Sequence, residues 1–286
     1  MLFNINGDIL SLEEARISPL DRGYLYGDGI FETMRSYGSE IFKLDEHLDR
    51  LYNSAQAILL DIPYSKEELI TEIERTLSAN KLTEEDAYIR ISFSRGEAEL
   101  GIDPTEATNP TLMIITKPLT SPSAELYEEG WEVVTVPTRR NHIETVNPRI
   151  KSCNFLNNIL AKAEAKLFDA DDGIMLNQQG YVTEGTVSNV FLVKDGILKT
   201  PPPSAGLLAG ITRKVVIETA DELGILVKEE NLTRHDFYMA DEAFATVTSV
   251  EIIPIVKMDD REIGSGKPGP ITEKLFKNFP RPGSIV

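Results

Sequence analysis

Residues 147–166 read NPRIKSCNFLNNILAKAEAK, an approach segment that runs into an Ala/Lys/Glu-rich stretch. From Phe155 onward the stretch is rich in Ala, Leu and Lys and reads as a helix, with Asn154 suited to its N-cap. Lys151 stands ahead of that helix, in the approach segment NPRIKS, and not on the solvated Lys/Glu face. An apolar strand end held against a helix can strip water from an amine. Desolvation lowers a lysine pKa, and a neutral amine can attack a carbonyl carbon. A surface lysine in a loop is the plainer reading of the same position. Cys153, two residues on, reads as a small buried apolar residue, not a nucleophile.

The chain has 286 residues, long for one domain and comfortable for two. Hydrophobic residues make up 41%, enough for a sizeable core. The net charge of −17 repels nucleic acid and anionic membranes, so neither is an expected partner. An anionic ligand would need a local cluster of cations and backbone N–H groups. No stretch has the apolar length of a membrane span, and MLFNINGDIL lacks the features of a secretion signal. A single cysteine excludes an internal disulfide and fits the cytoplasm. The three histidines, His47, His142 and His235, lack metal-ligand spacing, so no metal is expected. Walker A, G-x-S-x-G and Rossmann glycine patterns are absent. HLDRL and TRHDF read as helix or turn surface.

LFNINGDIL reads as two strands around an Asn-Gly turn, and GIFETMRSYGSEIFKL as a second hairpin turning near Gly38. LDEHLDRLYNSAQAILL places Leu48, Leu51, Tyr52, Ala55 and Leu59 at helical spacing. SKEELITEIERTLSAN opens with the capping pair Ser65 and Glu68. AYIRISFS and TLMIITK are strands. The Pro/Ser-rich run that follows marks a boundary, giving a small domain at 1–116, a linker at 117–126 and a large domain at 127–286. Strands at WEVVTVP, GIMLN, YVTEG, NVFLVKDGILKT, EAFATVT and VEIIPIV alternate irregularly with helices, one of them ending at Gly224. The order predicts an α+β (mixed α/β) fold and not a doubly wound sheet.

Several positions could carry chemistry. Glu184, in GYVTEGTVSNVFLV, ends an apolar segment; a carboxylate there is either a turn residue or a buried group that needs a partner. Gly210, Ile211 and Thr212 open a helix whose free N–H groups suit an anion, although simple capping explains them equally. Thr248 and Ser249, between two strands, could donate to an anion or merely turn the chain. Arg50 lies about 200° around its helix from Leu48, with His47 and Ser54, on a side that is either solvated or turned toward an anion. Phe31, Thr33 and Arg35 share one strand face, as do Tyr88, Arg90, Ser92 and Ser94, which makes a solvated wall or a carboxylate-binding one.

Seven segments in order carry a resemblance: DRGYLYGDGIFETMR, HLDRLYNSA, AYIRISFSRGEAELGIDP, RIKSCNFLNNILAKAEA, EGTVSNVF, GITRKVVIE and TSVEIIPI. Together they resemble the class IV (fold type IV) pyridoxal-phosphate aminotransferases, a family that includes branched-chain and D-amino-acid aminotransferases and aminodeoxychorismate lyases. The resemblance implies pyridoxal 5'-phosphate as cofactor, with Lys151 as its Schiff-base and proton-transfer residue and Glu184 keeping the pyridine nitrogen protonated. It implies that Arg50, the N–H groups of Ile211 and Thr212, and Thr248 with Ser249 hold the phosphate. Tyr88 and Arg90 would help shape the substrate carboxylate site, with Phe31, Thr33 and Arg35 as further substrate-site candidates. A homodimer or larger homo-oligomer is implied as well. Two residues depart from the branched-chain pattern: Thr33 stands where Gly follows FE, and Phe155 where Tyr follows the lysine. SRGEAELGIDP has no match to the Arg/His pair of the D-specific enzymes. The expectation is therefore transfer of an amino group from a branched-chain L-amino acid to 2-oxoglutarate. The alternatives are a lyase forming 4-aminobenzoate and pyruvate, a D-amino-acid aminotransferase, and an anion-binding module without activity.

Overall fold

Asn6 and Gly7, both at positive φ, turn the chain back on itself between β1 (Leu2–Ile5) and β2 (Asp8–Ser11). The computed structural model describes residues 1–120 and 123–283. These divide into two compact units: residues 1–120 with 150–155 and 281–283, and residues 123–149 with 156–280.

The first unit continues with α1 (Arg22–Tyr26), β3 (Gly29–Tyr37), β4 (Glu40–Ile41), α2 (Leu44–Ala57), α3 (Lys66–Ala79), β5 (Ala87–Ser94) and β6 (Thr111–Pro118). Its six strands run in the order β2-β1-β6-β5-β3-β4. Alternation in β5 puts Ala87, Ile89, Ile91 and Phe93 into the core, where Leu48 and Leu51 of α2 and Leu69, Ile73 and Leu77 of α3 cover them. Ser65 and Glu68 form the expected capping box of α3. The stripe of α2 stops short of expectation. The helix ends at Ala57, Leu59 sits at positive φ, and its side chain is exposed.

Segment 150–155 lies with this unit, whereas the sequence division placed it within 127–286. Backbone hydrogen bonds explain the difference. Phe31 N–H donates to Lys151 O (2.9 Å) and Cys153 N–H to Gly29 O (2.8 Å), so the segment extends the edge of β3 that β4 occupies further along. The expected linker is also partly ordered structure. Lys117 and Pro118 belong to β6, and α4 starts at Ala124; Ser121 and Pro122 lie outside the described residues.

The second unit contains α4 (Ala124–Glu129), β7 (Trp131–Thr135), α5 (Leu156–Lys166), β8 (Asp172–Leu176), β9 (Val182–Glu184), β10 (Asn189–Lys194), β11 (Ile197–Thr200), α6 (Ile211–Glu222), β12 (Val227–Glu229), α7 (Arg234–Tyr238), β13 (Glu242–Val247), β14 (Glu251–Met258), β15 (Arg261–Glu262) and α8 (Pro270–Lys277). The strands form one mixed sheet, β12-β11-β10-β13-β14-β7-β8-β9 with β15 beside β14; β11/β12, β14/β7 and β7/β8 pair in parallel. This matches the expected mixed α/β class. Helix α5 begins at Leu156, so Asn154 stands two residues ahead of it and not at its N-cap. Among the described residues no helix is long and apolar enough to cross a membrane.

Leu69 is fully buried where α3 meets the first sheet. Leu69→Ala is expected to lower unfolding stability by about 2–5 kcal/mol, measured as a shift of the urea midpoint at unchanged slope.

Candidate active site

In the first unit, Lys151 is fixed by its backbone before its side chain is considered. Its carbonyl accepts from Phe31, and its N–H donates to Ser54 Oγ of α2 (3.2 Å). The Nζ lies 4.7 Å from the centroid of the Phe31 ring. The Arg90 guanidinium lies 3.8 Å from the same centroid, and Phe155 meets that ring edge-on at 5.6 Å. Cation–π attraction thus holds a guanidinium and an amine on one phenyl group, and two cations held so close favour an anion beside them. Cys153 is half-buried next to Gly29, and the burial raises its thiol pKa, as suits an unreactive residue.

The polar side of α2 is not the solvated face that its composition permits. His47 and Ser54 are 1% and 2% exposed. The side is turned toward Glu32, a carboxylate on the core face of β3 with 0% exposure. Arg50 Nε donates to Glu32 Oε1 (2.6 Å) and Arg50 Nη2 to Oε2 (2.9 Å). His47 Nδ1 lies 2.8 Å from Oε2. Burial alone would push the Glu32 carboxyl up. The Arg50 charge and the hydrogen bonds from His47 and Arg50 outweigh it and hold the carboxyl far below the usual carboxylate range. Burial lowers the His47 pKa; Glu32 opposes that shift, and the charges of Arg50 and Lys151 add to it. An ionised carboxylate can only accept, so the neutral imidazole carries its proton on Nδ1.

The facing strands place Phe31 opposite Ser92, Thr33 opposite Arg90 and Arg35 opposite Tyr88. The five substrate candidates therefore share one wall. Within it, Arg35 is buried, donates to Asp86 (3.1 Å) and lies 4.0 Å from the Tyr37 ring centroid. Tyr88 carries Lys117 over its ring. Arg95, the arginine of SRGEAELGIDP, is a structural group. Its three nitrogens donate to Asp28 Oδ2 (2.7 Å), Leu59 O (2.8 Å) and Ile58 O (2.7 Å), closing the C-terminal end of α2.

In the second unit, Glu184 ends β9 at 5% exposure and has the partner that burial demands. Arg140 Nε donates to Oε1 (2.7 Å), and Leu208 N–H donates to Oε2 (3.0 Å) with Asn189 Nδ2 at 3.5 Å. The turn after it is built around buried Asp172, which accepts from Thr186 Oγ1, Ser188 Oγ and Gly173 N–H. A Cβ at Gly185 would sit 2.1 Å from Ser188 Oγ and 2.5 Å from Asp172 Oδ2, so any side chain there would have to displace the hydrogen-bonded Ser188–Asp172 pair. Ile211 and Thr212 open α6 after Gly210, which offers no side-chain cap. Thr248 and Ser249 lie half-buried in the turn between β13 and β14, closed by Val250 N–H to Val247 O (3.1 Å).

Glu32, Arg140, Asn189 and Asp172 escaped the sequence reading. Glu32 left a trace: it falls in the same alternating register as Ile30 and Met34, where an apolar residue belongs. Among the described residues no cluster of His, Cys, Asp or Glu is arranged to hold a metal ion.

The first unit offers an amine and a braced guanidinium, and the second a helix start with open N–H groups and a buried carboxylate. Taken unit by unit, an amine suits an aldehyde, a guanidinium and open N–H groups suit a phosphate, and a buried carboxylate suits a basic ring nitrogen, the functional groups of pyridoxal phosphate. Residues 29–258 match the amino-transferase class IV family, and the chain belongs to that family of pyridoxal-phosphate enzymes. A Methanocaldococcus jannaschii protein provisionally named as a branched-chain-amino-acid aminotransferase is 45% identical over 98% of this chain and 95% of its own. The D-alanine aminotransferase of Staphylococcus haemolyticus is 38% identical over 96% of this chain and 95% of its own. The branched-chain amino acid aminotransferase of Escherichia coli superposes with a TM-score of 0.92 at 33% identity, covering 96% of this chain and 92% of that one. That of Thermoproteus uzoniensis, solved with norvaline, gives 0.90 at 36% identity over 98% and 93%.

An unfolded histidine takes up a proton as pH falls through its ordinary 6.5, while buried His47 resists. The unfolded chain then binds more protons, so His47 costs stability as pH drops below 6.5, by up to about 1.4 kcal/mol per pH unit. His47→Asn keeps a donor for Glu32 and removes the titration. Between pH 7 and pH 5 the variant is expected to lose less stability than the wild type, read by urea unfolding at each pH.

Proposed function

We propose that the chain moves the amino group of a branched-chain L-amino acid to 2-oxoglutarate, using pyridoxal 5'-phosphate bound at Lys151. Lys151 would hold the cofactor aldehyde and then carry the substrate α-proton as base and acid. Glu184, backed by Arg140, would face the ring nitrogen. Arg50, the N–H groups of Ile211 and Thr212, and Thr248 and Ser249 would hold the phosphate. When bound, the cofactor supplies the sink for the electron pair that the departing proton leaves.

The observation that carries this reading is the placement of Arg90 and Lys151 on the single ring of Phe31. An amino acid whose carboxylate pairs with Arg90 would bring its α-carbon toward the amine. The branched-chain choice draws on the M. jannaschii relative and on the two aminotransferase structures. Commitment of Arg95 to Asp28 and to the end of α2 argues against its serving as a carboxylate trap for D-amino acids. The D-alanine relatives keep that activity as the second reading. A homodimer is proposed on the exposed apolar stripe of α5, where Leu156, Ile159 and Leu160 follow helical spacing and stand exposed among the described residues. The single cysteine suits a cytoplasmic setting.

Holoprotein assayed with L-leucine, L-valine, D-alanine and aminodeoxychorismate, each with and without 2-oxoglutarate, decides among these activities. Oxo-acid formation from L-leucine and L-valine that requires 2-oxoglutarate is the expected result. Preference for D-alanine, or pyruvate release from aminodeoxychorismate without acceptor, would overturn it. Lys151→Ala is expected to lower turnover by about 100- to 10,000-fold, and borohydride treatment of wild-type holoprotein to leave the cofactor on the Lys151 peptide.

A further inference from the structure

Glu32 is an expensive residue for its place in the fold. It sits in the core register of β3 between Ile30 and Met34, and all three are fully buried. A buried ion pair is seldom worth more to stability than apolar residues of the same size. Packing alone therefore gives no account of a carboxylate here. Its hydrogen bonds do. Both oxygens are directed at α2, and the Arg50 contacts are the two parallel bonds of a fork, at 2.6 and 2.9 Å. A fork fixes the plane and the rotation of a guanidinium, which a single bond does not. His47, three residues earlier on α2, adds a 2.8 Å contact to Oε2 and stops the carboxylate from turning. Further along the helix Ser54 accepts from the Lys151 backbone, so a single face of α2 carries the brace and the contact to the lysine.

We propose that Glu32, steadied by His47, is a positioning residue that sets the Arg50 guanidinium in its phosphate-binding orientation before the cofactor arrives. This rests on Arg50 as a phosphate ligand. The long arginine side chain is ordered on folding, so cofactor binding does not have to order it. The Nε–Nη2 edge is committed to Glu32, and Nη1 lies on the far side of the planar group. An arginine without its brace keeps its charge but spreads it over many rotamers. The brace therefore acts on the phosphate of the cofactor and leaves the pyridoxal ring untouched.

The test compares pyridoxal 5'-phosphate with pyridoxal, which lacks the phosphate, in binding titrations of the apoprotein followed by absorbance, with the melting temperature of each variant measured alongside. Glu32→Gln keeps the shape and removes the charge. It is expected to weaken pyridoxal phosphate binding roughly 10- to 100-fold, the usual cost of removing an outer partner of a ligand-holding group, and to change pyridoxal binding less than about twofold. Glu32→Gln/Arg50→Ala is expected to bind no more weakly than Arg50→Ala alone, because the carboxylate acts through the guanidinium. An unchanged preference for the phosphorylated form in folded Glu32→Gln, or losses that add in the double variant, would overturn the proposal. Should Glu32→Gln fail to fold, His47→Ala decides: a fall in that preference of about threefold or more supports the brace, and no fall overturns it. If Arg50→Ala leaves the preference intact, the phosphate role of Arg50 itself is wrong, and that result is distinct from a failure of Glu32 alone.

Discussion

Two backbone hydrogen bonds, Phe31 N–H to Lys151 O and Cys153 N–H to Gly29 O, set the terms for the first unit. They recruit a segment more than a hundred residues distant in sequence to the free edge of β3. A β-ladder fixes register as well as proximity. The lysine is thereby matched to Phe31 and, through the β3–β5 pairing, to Arg90 on the next strand. The amine inherits its surroundings from the ladder and not from its own sequence neighbours. That explains why it precedes the helix α5 and does not ride on it.

The chain is strongly acidic, yet its interior is organised by arginine. Arg22, Arg35, Arg95, Arg140 and Arg213 are all buried, and each meets a carboxylate: Asp28, Asp86, Asp28 again, Glu184 and Glu229. The planar guanidinium suits this work because it spreads one charge over several directed donors and is weakly hydrated. Asp28 shows the economy of the arrangement, since it accepts from Arg22 and Arg95 together. The excess negative charge lies elsewhere, on solvated faces, where it keeps the protein soluble and asks nothing of the core.

What the sequence disclosed was local. The Asn6–Gly7 hairpin, the Ser65–Glu68 cap, the alternation of β5 and the turn at Thr248–Ser249 each follow from a few adjacent residues, and they appear where expected. What stayed hidden was tertiary. The polar side of α2 looked the same whether it faced water or Glu32, because helical spacing says which residues share a side and not what that side meets. Arg140 sits in an unremarkable VPTRRNH stretch, and only the fold brings it to Glu184. The misplaced start of α5 and the overlong linker have a common cause. Propensity at chain boundaries is weak, and backbone pairing at a distance decides the last few residues.

Helix α2 is held at both ends. Near its start, His47 and Arg50 are fastened to Glu32; past its end, Arg95 clasps the carbonyls of Ile58 and Leu59. Each residue added to or removed from a helix rotates everything beyond it by about 100°. With both ends clamped, that rotation has nowhere to dissipate. Natural insertions and deletions should therefore be barred from the stretch between His47 and Leu59 while single replacements on its outer side are tolerated, which makes the length of this helix, more than its composition, the property that inheritance has to preserve.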